Sequence, residues 1–279
     1  MSFIELASNP WGQRVPIHLA WILIWVALIT GLAFLLAHAA YVGLFAKATK
    51  FAPLVGSGEA AGLPTHIPRH SLVARLFHWI MAAAMFTLLF TGLLPALGVK
   101  FAWVATHWVV GAVLTAAIVF HIVHASFWQD FWAIWPDHID REDARRRLQR
   151  FFGMHVPPPR RFAKYPLDNK LYHTVVTLVG LTVIGTGVLM LSRVRTIFFP
   201  RDPYLFGDMA WGILYVLHGL AGVGMIALTI GHVYFALRPE KLAITKAMVF
   251  GWMHRDFYLE EHDPARWPVE TSAKGEGAK

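Results

Sequence analysis

Five apolar stretches dominate the 279-residue chain, near residues 17–46, 72–97, 103–128, 171–197 and 209–237, and the first, third and fifth contain no Asp, Glu, Lys or Arg. Each meets or exceeds the ~20 residues an α-helix needs to cross the hydrocarbon core of a bilayer. Lipid offers no partner to backbone N–H and C=O groups, so such a stretch must satisfy them within itself, as a helix does. The expected fold is therefore all-α, an integral membrane bundle of five transmembrane helices in a single membrane domain. Composition agrees, with 56% hydrophobic residues, 15% charged residues and a mean hydropathy of +0.49. That is too apolar for an ordinary soluble domain.

The charges that remain set an orientation. Three Lys and Arg lie between the first two spans (Lys47, Lys50, Arg69), nine between Arg141 and Lys170, and seven from Arg238 onward. The other side receives Arg14, Lys100, Arg193, Arg195 and Arg201. By the positive-inside rule the 129–170 loop and the 238–279 tail face the cytoplasm, the N-terminus faces the periplasm, and the location is a bacterial inner membrane. The net charge of +8 is accounted for by this topology, so no nucleic-acid partner is expected. Trp11, Trp21, Trp103, Trp108, Trp128, Trp132, Trp135 and Trp211 fall near span ends, as an interfacial belt would. Ala37-His38-Ala39 resembles a signal-peptide cleavage site, but there is no basic segment ahead of it and the apolar run is too long, so the first span is expected to be retained. Arg141–Arg150 (REDARRRLQR) reads as a short charged helix meeting lipid headgroups and ended before Pro157-Pro158-Pro159, and the tail from Thr271 reads as disordered.

There is no cysteine, which excludes disulfides, thiolate-held iron-sulfur clusters and covalently attached heme. Any metal must rest on histidine, methionine or carboxylate. Seven of the 15 histidines sit at membrane depth: His78, His107, His121, His124, His173, His218 and His232. An imidazole there has polar nitrogens that lipid cannot satisfy, so it marks a cofactor, a partner group or a water path. His218 and His232 are 14 residues apart in the fifth span, about 3.9 turns, and so share one face at two depths roughly 21 Å apart. Each is placed to take an axial position on a heme iron if another helix supplies the opposing ligand. By depth, His107 opposes His218 near the outer side and His78 opposes His232 near the inner side. Gly111 and Gly222, four residues after His107 and His218, would let a flat macrocycle approach. A competing scheme remains open at this point: His121 is also 14 residues after His107, so His121 is an alternative heme ligand opposite His232.

The segments Arg75-Leu76-Phe77-His78-Trp79, Thr106-His107-Trp108 with Gly111, Leu217-His218-Gly219 with Gly222, and Ile230-Gly231-His232-Val233-Tyr234 resemble the gamma subunit (cytochrome b) of membrane-bound formate dehydrogenase. That subunit belongs to a wider family that includes the cytochrome b subunits of nickel-iron hydrogenases. The resemblance runs from His78 to Trp267, about two thirds of the chain, and takes in Thr91-Gly92, Thr186-Gly187-Val188, Ala247-Met248, Gly251, His262, Pro264 and Trp267. It implies a four-helix core holding two heme b groups, with His78, His107, His218 and His232 as the axial ligands and the 17–46 helix as an N-terminal addition. In the stretch where the family has a Tyr-Asn-Ala-Gly-Gln-Lys type segment near its quinone site, this chain has Tyr165-Pro166-Leu167-Asp168-Asn169-Lys170.

The resemblance further implies an electron-transfer and quinone-reducing subunit of a multi-subunit respiratory oxidoreductase, with no substrate oxidation of its own. Its partners would be a periplasmic iron-sulfur subunit and a molybdenum or tungsten catalytic subunit, and its electron acceptor a quinone near the cytoplasmic side. His173, Asn169, Asp168, His124 and, more loosely, Lys170 and His121 are candidates for quinone binding or proton relay. Arg69 and Arg75 are candidates for pairing with heme propionates. Two alternatives differ in class: a quinol-oxidising subunit feeding a periplasmic reductase, and a histidine-lined ion or metal transporter, which would carry no heme.

Overall fold

The computed structural model describes residues 2–44, 62–198 and 200–269. Lys47, Lys50, the end of the first apolar stretch and the tail from Thr271 lie outside the described residues. Five helices are long and apolar enough to cross a membrane: α1 (Ile22–Leu44), α2 (Leu72–Ala96), α3 (Trp103–Trp128), α5 (Leu167–Met190, extended by a 3-10 turn to Arg193) and α6 (Asp208–Leu237). Shorter helices are α4 (His138–Phe151), α7 (Leu242–Phe250) and α8 (Arg255–Glu261). Two small antiparallel ribbons complete the described residues: β1 (Ile4–Ser8) with β2 (Arg14–Leu19), and β3 (His66–Pro68) with β4 (Trp252–His254).

The expected spans differ from the helices at their ends, and each difference has a cause. Residues 17–21 are apolar but not helical, because Arg14–Leu19 pair with Ile4–Ser8 around a turn in which Asn9 Oδ1 accepts from the amides of Trp11 and Gln13. Pro16, which has no N–H to donate, fits a two-stranded edge better than a helix interior. At the fourth span the helix begins four residues earlier than hydropathy indicates, immediately after Pro166. Asp168, Asn169 and Lys170 form its first turn, since the charges of Asp168 and Lys170 are answered by neighbouring side chains and not by lipid.

The chain divides into two compact units. The first comprises Met1–Gly43, Phe77–Ile122 and Val175–Tyr234 and contains most of the long helices. Ala84, Leu88 and Leu114 pack together at the α2–α3 contact, joined by Met81, Met85, Val110 and Ile118. The hairpin β1–β2 rests on the start of α6, where Gly212 faces the Pro16 carbonyl so closely that any β-carbon would collide with it.

The second unit comprises Leu44–Leu76, Val123–Thr174 and Phe235–Lys279. Its core is Ile67, Ala247, Met253, Tyr258 and Trp267, with Ile67 and Met253 directly opposed across β3 and β4. Gly251 ends α7 with φ +90°, a left-handed conformation in which a β-carbon would also meet the His70 carbonyl at 3.0 Å and Arg75 at 3.2 Å. The Gly251 carbonyl accepts from the amides of both Arg69 and His70, fixing the chain ahead of α2. The Tyr258 hydroxyl donates to the Trp267 carbonyl at 2.5 Å. The motif residues Ala247, Gly251, His262 and Trp267 thus meet in one packed structure. Helix α4 opens with a capping box between Asp137 and Asp140, as expected for the charged stretch before the prolines.

Candidate heme sites

Within the first unit, three helices bring four histidines together in two pairs. His107 on α3 and His218 on α6 have ring centroids 6.3 Å apart, and His78 on α2 and His232 on α6 are also 6.3 Å apart. Two imidazoles on opposite faces of one metal, each with a metal–nitrogen bond of about 2 Å, have ring centres about 6 Å apart. Both pairs match that separation. Face-to-face stacking would bring the rings closer, as it does for His121, which stacks on Phe77 at 4.2 Å and 7°. His121 therefore lies against an aromatic ring, while His78 is the ring that faces His232.

The His107–His218 pair is held by hydroxyls. Thr91 Oγ1 on α2 lies 2.8 Å from His107 Nδ1, and Thr186 Oγ1 on α5 lies 2.9 Å from His218 Nδ1. Each hydroxyl has a single hydrogen, and each lies within reach of carbonyls one turn back, Thr87 at 2.8 Å and Thr182 at 2.6 Å. With that hydrogen donated backwards, the threonine oxygen accepts from the imidazole. The proton then resides on Nδ1, which leaves the Nε2 lone pair for a metal. The glycine after each threonine gives the ring room. A β-carbon at Gly187 would stand 3.3 Å from His218 Cε1, and one at Gly92 would stand 3.7 Å from His107 Cε1. Gly111 and Gly222, singled out by their spacing, have no such contact with a histidine.

The histidines come in twos. Among the described residues, no group of three or more His, Cys, Asp or Glu converges as a site built wholly from protein ligands to a metal ion would. Two histidines would leave most of a metal's positions to be filled, and a heme would supply those donors itself, so the paired residues fit heme.

Apart from His121, which lies in the first unit, the candidates for quinone or proton traffic lie in the second unit, and they do not form one cluster. The exposed Asp168 pairs with Arg147 at 2.6 Å. Lys170, 2% exposed, is clamped by Asp140 at 2.5 Å and Asp137 at 3.3 Å, and so is a structural cation. Asn169 sits in the first turn of α5, its amide bonded to the Pro166 carbonyl. His124 lies over Trp128 with its Nδ1 3.0 Å from Gln129 Nε2. His173 stands edge-on to Trp135 with centroids 5.3 Å apart, and both His173 Nδ1 and Trp135 Nε1 are buried without a hydrogen-bond partner. Trp135 is legible from the sequence only as one more interfacial tryptophan.

The two arginines considered for propionates each bond a backbone carbonyl and each keep a buried Nε without a hydrogen-bond partner. Arg69, 4% exposed, donates to the Lys164 carbonyl at 2.8 Å and lies against the rings of Tyr165 and Trp267. Burial, more than any neighbour, pulls its guanidinium below the ordinary range, to about 10. Arg75 donates to the Val249 carbonyl at 2.6 Å.

No curated protein matches the chain closely enough to count as a relative. The sequence model of the prokaryotic cytochrome b561 family matches residues 69–251, which covers α2, α3, α5 and α6 and all four paired histidines and leaves out α1. The chain belongs to the prokaryotic cytochrome b561 family and is a multi-pass membrane b-type cytochrome of electron transfer.

Proposed function

We propose that the protein is the di-heme membrane subunit of a respiratory oxidoreductase, similar to the formate dehydrogenase gamma subunit. It would exchange electrons between an iron-sulfur partner and membrane quinone. The observation that carries this reading is the equal 6.3 Å spacing of two histidine pairs whose α6 members are 14 residues apart. In this reading His107 and His218 hold one heme b and His78 and His232 hold the other. Heme held in this way supplies reversible one-electron Fe(III)/Fe(II) chemistry.

The protein's own residues do the rest. Thr91 and Thr186 keep the outer imidazoles in the ligating tautomer. Trp135 Nε1 and a protonated His173 nitrogen are two buried donors that a quinone's carbonyl oxygen would satisfy, which makes this pair the preferred quinone contact over Asp168 and Asn169. With no cysteine, the chain relies on a partner for any iron-sulfur relay, and by the family resemblance that partner carries a molybdenum or tungsten subunit with it. The Lys and Arg distribution supports an inner-membrane orientation with the 129–170 segment in the cytoplasm and electrons entering from the periplasmic side.

Pyridine-hemochrome analysis of the purified chain tests the core of the proposal. Two b hemes per chain are expected, and one or none would overturn it. Reduction of the oxidised protein by a soluble quinol analogue tests the quinone half, which fails if no b-type α-band develops.

A further inference from the structure

In the second unit, α4, residues 159–167 and Arg266 line a shallow, open cleft that plays no part in the reading above. Five guanidinium groups line it, from Arg146, Arg147, Arg150, Arg160 and Arg266, against two carboxylates, Asp140 and Asp143. Both carboxylates are already engaged, Asp140 with Lys170 and Asp143 with Arg160. Arg146 and Arg160 share Glu142, and Arg147 reaches Asp168. Arg150, by contrast, donates to the neutral Pro157 carbonyl, and Arg266 donates to the neutral Arg161 carbonyl at 3.1 Å and makes only long ion pairs, 4.0 and 3.8 Å, with Asp140 and Asp143, which are held more closely by other cations. The cleft therefore carries surplus positive charge as guanidinium forks, the geometry that takes phosphate oxygens two at a time.

Its surroundings decide which phosphate. Leu148, Phe151, Phe152 and Met154, within and just after the helix turn that bears Arg147 and Arg150, are exposed by 58%, 81%, 65% and 54%. The cleft also reaches Pro166 and Leu167, where a membrane span begins. A soluble anion has no use for an apolar rim at the end of a span, whereas a lipid has both parts. We propose that this cleft binds the headgroup phosphate of an anionic membrane phospholipid, with Leu148, Phe151 and Phe152 lying among its acyl chains.

The test uses the full chain purified in neutral detergent, with native mass spectrometry to count bound lipid on titration with phosphatidylglycerol or phosphatidylcholine. One phosphatidylglycerol per chain is expected to bind in preference to phosphatidylcholine. Arg150→Gln should weaken it roughly fivefold and Arg147→Gln/Arg150→Gln about thirtyfold. Arg141→Gln, on the same helix but outside the cleft, should leave it unchanged. Inorganic phosphate should not displace the lipid. Equal binding of both lipids, an unaltered double variant that retains its heme absorbance, or displacement by phosphate alone would each overturn the proposal.

Discussion

The Thr186 hydroxyl lies 2.9 Å from His218 Nδ1 while its own hydrogen points back to the Thr182 carbonyl at 2.6 Å, and Thr91 repeats the arrangement at His107. Two helix pairs of different connection length thus present His107 and His218 in the same way. Replacing Thr186 by Val keeps the volume and removes the acceptor, so the ring loses both its orientation and its tautomer bias. Losses of such supporting bonds typically cost 10–100-fold in metal affinity, and Thr186→Val should release about that much affinity for the heme at His218. Heme-to-protein ratio and the midpoint potential of the surviving heme report it, and Thr186→Ser should restore both.

The glycines beside these threonines differ in a way that heme content can detect. A β-carbon at Gly187 would press on His218 Cε1 at 3.3 Å, and one at Gly92 would meet His107 Cε1 at an ordinary 3.7 Å. Gly187→Ala should therefore shift the spectrum or lower the occupancy of the heme proposed at His107 and His218, and Gly92→Ala should leave it near wild type. Equal effects at the two positions would show that the contact with the imidazole is not what the glycine protects.

The two ligand schemes for the heme proposed at His232 separate by single substitutions. His78→Ala should remove one heme and leave the other reducible, and His218→Ala should remove the opposite one. His121→Ala should keep both, because its ring lies on Phe77 while that of His78 faces His232. Two hemes in His78→Ala together with one in His121→Ala would reverse the assignment.

Sequence and structure differ most where a local pattern depends on distant partners. The five spans were legible because lipid imposes one requirement on every residue of a stretch, and the spacing of His218 and His232 was legible because a helix has a fixed rise. The start of α5 was hidden because Lys170 looks like a loop residue until Asp140 is seen 2.5 Å away. The β1–β2 ribbon was hidden because residues 17–19 are apolar enough to extend a span, and only pairing with Ile4–Ser8 reveals a strand. Thr91 and Thr186 stood out only as shared motif residues, since nothing local shows that a hydroxyl one helix away will reach an imidazole. Arg69 looked like a partner for an anion, and its burial against Trp267 and Tyr165 follows from contacts nearly 100 and 200 residues apart in sequence.

The Lys170 clamp gives a stability test for the second unit. Lys170→Met would leave the buried Asp140 carboxylate without its closest cation, and breaking a buried pair in this way costs about 3–5 kcal/mol. Adding Asp140→Asn removes the stranded charge, keeps an acceptor for the Asp137 amide, and should recover part of the loss. Protease susceptibility of the 129–170 segment in detergent, compared among wild type and the two variants, measures both steps.

His262 predicts how the same unit responds to acid. Burial first, and the Arg69 guanidinium beside it second, push its imidazole down to about 4. The geometry agrees: Nδ1 donates to the Ala163 carbonyl at 2.8 Å, and Nε2 faces an Arg69 nitrogen at 3.4 Å, which leaves no place for a second proton. A histidine depressed on folding stabilises the fold fully above its unfolded value near 6.5 and loses that contribution as pH falls through the folded value. A shift of this size is worth about 3 kcal/mol, and it should disappear between about pH 6.5 and 4. Glu261, whose carboxyl burial pushes up, works in the opposite sense over part of that range, so wild type alone would not isolate the histidine. His262→Gln keeps hydrogen-bonding capacity and cannot titrate. Hydrogen exchange of residues 252–267 should accelerate on acidification in wild type and much less in His262→Gln; parallel acceleration in both would place the acid sensitivity on another group.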